Sequence, residues 1–185
     1  PFTFPYKEDY EDRNVGDLPK FHSDQTGSFE IVQKEDGTNC LKQINPEQGY
    51  DWMRVYRRSN IKPNTLVGDI TWTNFTCSVD VFIEGGNVEL GGRVQGSYLK
   101  CYRFMLEKSG NWTLVFDNKN ITKWSIENFD ANIWHKLKLT FNDKEIEAFV
   151  DGHAITKVSH DKKSGYVMLG SSYDGNLFDN LEVTP

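Results

Sequence analysis

The stretch NIWHKLKLTFNDKEIEAFVDGHAI, residues 132–155, decides how this chain folds. Leu137, Leu139 and Phe141 alternate with Lys136, Lys138 and Thr140, the period of two that gives a strand one buried and one wet face. Asn142-Asp143 breaks the run, and a second alternating segment, EIEAFV, leads to Asp151-Gly152. An Asp-Gly pair between two such runs is a strong short-range hairpin signal, because both residues accept a positive φ. The stretch therefore predicts consecutive antiparallel strands joined by tight turns.

The same period recurs on either side. FTCSVDVFI (75–83) sets Phe75, Cys77, Val79, Val81 and Ile83 on one face, with Thr76, Ser78 and Asp80 on the other. KCYRFML (100–106) alternates Tyr102, Phe104 and Leu106 against Cys101, Arg103 and Met105, and SGN (109–111) marks the turn that follows. Roughly a dozen short strands result, with no helix of three turns and no internal repeat. The chain has 12 Phe, 8 Tyr, 5 Trp and 15 Gly, which favours strands and turns. The expectation is an all-β antiparallel sandwich of jelly-roll type, one domain over residues 1–185, with 1–7 as a linker or domain-entry segment.

A net charge of −6 with no basic stripe argues against nucleic-acid binding. No apolar run is long enough for a transmembrane helix, and no signal peptide is visible. The chain begins at Pro1, which is expected of an excised or processed piece. Cys40, Cys77 and Cys101 lack the paired spacing of a zinc site. Cys77, within an alternating strand, is expected to pack as a small core residue, and a Cys40–Cys101 disulfide stays open. The four histidines, His22, His135, His153 and His160, fall in no nucleophile–base motif. N-x-[ST] sequons at Asn74, Asn111 and Asn120 are glycosylation candidates and fit a secreted protein.

The tryptophan opening the strand at 134, the tight turn and the second strand ending in Asp-Gly resemble the concanavalin A-like lectin/glucanase sandwich. The order FPYKEDYEDRNVGD (4–17), FHSDQTGSFEIV (21–32), GDITWTNFTCSVDVFIE (68–84), LGGRVQG (90–96) and LFDNLEV (177–183) sharpens the match. Together these segments resemble the C-terminal lectin-like domain of galactocerebrosidases, which remove galactose from galactosylceramide. SDQTGSFE and GDITWTNFT are the most specific pieces. The resemblance implies a catalytic barrel elsewhere in the polypeptide, whose two glutamates work across the scissile bond. It also implies no catalytic residue in this chain, a role in the wall of a galactolipid pocket, and a lysosomal or extracellular setting. The alternatives are a stand-alone carbohydrate-binding lectin and a concanavalin-type glucanase. The E-x-D-x-x-E strand of such glucanases has no counterpart here, since DKEIEAFVDG offers Glu145 and Glu147 and then no acid until Asp151.

Asp179 interrupts the last apolar run, and a carboxylate beside a core needs a partner. A sandwich of this kind brings its first and last strands together, gathering Glu8, Asp9, Glu11, Asp12 and Asp179. Unneutralised, they would repel; a structural calcium ion resolves the conflict, since Ca2+ takes six to eight oxygens. Matched to the family pattern, the ligands are Asp9, Glu11 (where the family has asparagine), the carbonyl of Asn39 and Asp179. The competing reading is a solvated acidic terminus, with Asp179 bonded to backbone amides. For sugar contact the candidates are Trp52, Arg93 and Tyr98, an aromatic platform with a guanidinium to read hydroxyls. Gly91, Gly92 and Gly96 suggest close backbone approach around an outward Arg93.

Overall fold

The computed structural model describes residues 4–46, 62–96, 100–161 and 163–185. Among them lie fifteen strands and no helix, arranged as two stacked antiparallel sheets. One sheet runs β13 (His153–Ser159), β12 (Glu145–Val150), β11 (His135–Asn142), β6 (Phe75–Phe82), β15 (Leu177–Thr184), β4 (Asn39–Gln43) and β3 (Phe29–Gln33), with β1 (Tyr6–Glu8) also on β15. The other runs β10 (Lys119–Ser125), β9 (Asn111–Phe116), β8 (Tyr102–Glu107), β7 (Asn87–Val94), β14 (Tyr166–Ser171), β5 (Asn64–Val67) and β2 (His22–Thr26).

The alternation written in the sequence sets the core. Phe75, Cys77, Val79 and Val81 of β6 lie against Leu137, Leu139 and Phe141 of β11, with Leu139 paired to Cys77 and Phe141 to Phe75. From the facing sheet come Leu90, Tyr102, Phe104, Leu114 and Leu169, all fully buried. Burying each such side chain is worth about 1.5–3 kcal/mol, so the two inner faces supply the main drive to fold. Between β12 and β13 the Asp-Gly turn has both φ values positive, 50° at Asp151 and 79° at Gly152, as a two-residue hairpin of this twist requires. Asp117 and Asn118 make the same kind of turn between β9 and β10, at φ 49° and 59°.

Two points left open by the sequence take definite form. Of the segment given as a linker or domain-entry piece, Tyr6 and Lys7 belong to β1, with Tyr6 paired to Val183, and Phe4 packs on Trp72 at 4.5 Å. The Cys40–Cys101 pairing is not made. None of the three cysteines is in a disulfide and all are buried; Cys40 belongs to β4 of the eight-stranded sheet, and Cys101 packs with Val94 and Met168 of the seven-stranded one. Cys77 is a core residue, as expected.

Candidate functional site

The awkward carboxylate of the last strand is placed by a β-bulge. Phe178 pairs with Val81 and faces the core; Asp179 pairs with Asp80 and takes the outer face. The chain then advances from Asp179 to Glu182 while β6 moves only from Asp80 to Ser78, and Asn180 takes a φ of 49°. The extra residue restores the phase, so that Leu181 and Val183 turn inward again. Asn180 suits the left-handed position better than a branched residue would, and its side chain donates to Asp80 at 2.9 Å.

Asp179 is nevertheless buried. Lys34, just past β3, donates to its Oδ2 at 2.6 Å, and the amide of Asn180 donates to Oδ1 at 2.7 Å. Burial pushes the Asp179 carboxyl above its usual range, while the bonds to Lys34 and Asn180 pull it back. Burial is the largest single influence on the Lys34 ammonium and works against it, but the hydrogen bond to Asp179 and the negative charges of Asp179 and Asp36 together outweigh it and leave its pKa raised. We read the pair as charged at neutral pH. Nζ of Lys34 also lies 5.2 Å from the ring centre of Trp134, a further contact that holds the cation in place.

The neighbouring acids have separate partners. Glu8, itself buried, accepts from Arg13 at 2.8 Å and from the Tyr10 amide at 3.1 Å. Both oxygens of Glu11 accept from the Asn39 amide, at 3.1 and 3.2 Å, and Asp9 caps the Glu11 amide at 3.2 Å. Asp12 pairs with Arg13 at 3.3 Å. The structure therefore brings the ends of the chain together as expected, yet the calcium donor set does not fit a divalent ion as it stands. Both Asp179 oxygens are engaged, Glu11 addresses the amide of Asn39, and an ammonium already sits on the central carboxylate. Asp9 instead lines a cleft of about 390 Å³ with Lys7, Asp80, Lys136, Asn180 and Glu182. Among the described residues no three His, Cys, Asp or Glu side chains are grouped to hold a metal ion.

Arg93 is the other correction. A second bulge, in β7, spends three steps from Gly91 to Val94 against two in β14, and Arg93 adopts a φ of 55°. This turns the guanidinium inward: the residue is 1% exposed, donates to the carbonyls of Thr73 and Asp143 at 2.8 Å each, and lies 5.0 Å from the Phe141 ring centre. It pins loops at one end of the sandwich and does not face a ligand. Gly92 is small for the same inward reason, since an added Cβ would run into the Phe141 ring. Trp52 and Tyr98 lie outside the described residues. Asn74, Asn111 and Asn120 are all exposed.

The sequence reading missed a groove of about 560 Å³ on the outer face of the eight-stranded sheet, lined by Phe82, Trp134, Asn132, Glu84, Lys34 and Lys42 among others. Phe82 and Trp134 meet there at 5.8 Å between ring centres, beside amide, carboxylate and ammonium groups. The available signal was Trp134 standing between the exposed Ile133 and the buried His135, with Phe82 on the outward phase of its strand.

Architecture and topology define an antiparallel jelly-roll sandwich of the kind used by carbohydrate-binding modules and glucanases. A carbohydrate-binding module of family 66 from Bacillus subtilis superposes with a TM-score of 0.65 at 15% identity, covering 89% of this chain and 96% of that one. The β-glucanase of Bacillus licheniformis superposes at 0.59 with 11% identity, covering 98% of both chains. At the level of sequence, the family model for the galactocerebrosidase C-terminal lectin domain matches residues 24–185, and the chain belongs to that family. Curated galactocerebrosidases from Danio rerio and Homo sapiens are 26% and 27% identical over 99% of this chain. The chain spans only about 30% of their length.

Proposed function

We propose that this domain is the non-catalytic, lectin-like part of a galactocerebrosidase-type hydrolase, packing on a catalytic barrel and forming one wall of its galactolipid pocket. The observation that carries the reading is the family match across residues 24–185, joined to relatives in which the corresponding segment is about 30% of a larger enzyme. Trp52 and Tyr98 are the sugar-facing side chains in this proposal, and Arg93 is withdrawn from it. The three exposed sequons and the family membership support passage through the secretory pathway to a lysosomal or extracellular site.

Docking is tested by mixing this chain with the N-terminal remainder of the Danio rerio relative and following both by size-exclusion chromatography. Co-elution as a one-to-one complex is expected; independent elution of two folded species counts against the reading. The groove beside Trp134 favours a second reading, a self-sufficient galactoside-binding module, because an aromatic platform flanked by polar groups is what sugar sites use. Saturable heat on titrating methyl β-galactoside into the isolated chain, lost in Trp134→Ala, would favour that reading; no heat would favour the first.

A further inference from the structure

We propose that Lys34 is the built-in cation of this domain: its ammonium neutralises Asp179 where the family resemblance calls for calcium, so that the fold is independent of divalent ions. The geometry supports this at each donor. Lys34 and Asp179 approach to 2.6 Å with side chains 18% and 7% exposed, so the pair is largely shielded from water. The second oxygen of Asp179 is taken by the Asn180 amide, and Glu11 is spent on the Asn39 amide. A divalent ion entering here would meet an ammonium at contact distance from its central ligand, and like charges at that range repel strongly in a partly buried site.

The sequence changes point the same way. Glu11 is longer than the asparagine of the family pattern and reaches across to cap the Asn39 amide. Lys34 opens the KEDGTN loop, and a turn in which its amide donates to the Thr38 carbonyl (2.7 Å) holds it in register. Trp134 flanks the ammonium, so the cation is fixed from two sides. An ammonium delivers one charge where calcium delivers two, and Arg13 supplies the other by pairing with Glu8 and Asp12. Three of the five acids thus meet a cation of the chain itself, and Glu11 and Asp9 accept from the backbone amides of Asn39 and Glu11.

Thermal melts of the intact chain in EDTA and in millimolar calcium test this directly, with Lys34→Met and the double variant Lys34→Met/Asp179→Leu alongside. The wild-type midpoint should be the same in both buffers. Lys34→Met should melt roughly 10 °C lower, since it strands a buried carboxylate, and the double variant should recover most of that loss. A saturable calcium-dependent rise in the wild-type midpoint would overturn the proposal. So would a Lys34→Met protein as stable as wild type. If the single variant fails to fold, the wild-type comparison and the double variant still decide.

Discussion

Arg93 and Asp179 are each a charge taken out of water, and each is held by a small number of polar contacts. Arg93 gives hydrogen bonds to two backbone carbonyls from different loops, so its removal takes a donor from both and empties the buried space its side chain fills. Arg93→Met should therefore destabilise the domain by about 3 kcal/mol, read as a lower urea midpoint, while leaving any sugar binding by the folded protein unchanged. Loss of binding at full stability would instead return Arg93 to the ligand side. At this scale the sequence was only partly legible. It announced that Asp179 needed a partner and that the chain ends would gather acids. It did not show that Lys34, 145 residues away from Asp179, supplies the opposing charge, because a pairing across that separation leaves no local pattern.

Among the elements, two bulges decide where functional side chains point. Strand positions were readable from alternation, and Cys77, Leu137 and Phe104 fall on the face that their period assigns. Arg93 and Asn180 break that rule because each bulge inserts one residue and shifts the phase of everything beyond it. A period-two reading carries no warning of such a step unless a glycine marks it, and these two positions hold an arginine and an asparagine at positive φ. The bulge in β15 yields a direct test. Asn180→Val, a branched side chain in the left-handed region, should cost about 1–2 kcal/mol in chemical unfolding, whereas Asn180→Gly should be close to neutral in backbone strain. Equal losses for both would mean that the bond from Asn180 to Asp80, and not the backbone, carries the bulge.

For the whole molecule, burial makes the fold sensitive to alkali. Cys40, Cys77 and Cys101 are each pushed by burial from an ordinary thiol value of 9.0 up to about 12, and Tyr102 from 10.0 up to about 12. Tyr10, fully buried, is raised as well, chiefly by desolvation. In each case the folded pKa lies above the unfolded one, so the folded state holds more protons above pH 9. That stabilisation is complete below the unfolded values and is lost as pH rises from about 9 towards 12. Unfolding midpoints in urea should fall steadily over that range; a flat profile would mean that these side chains reach water. The buried thiols should also resist alkylation at pH 8 in the native protein.

The sandwich, its strand pairing at the chain ends and its kinship were legible in the sequence, because alternation, turn chemistry and ordered segments such as SDQTGSFE are all local. The groove beside Trp134 was not, since it joins side chains from separated strands of one sheet face. The most direct test of the functional account is the rate of galactosylceramide hydrolysis by a chimera in which this chain replaces the corresponding C-terminal segment of the Danio rerio relative. The account predicts hydrolysis well above that of the relative lacking the segment, and a fall in kcat/KM of roughly tenfold on Trp52→Ala, equivalent to about 1.4 kcal/mol of transition-state binding. A folded chimera no more active than the truncated enzyme would contradict it.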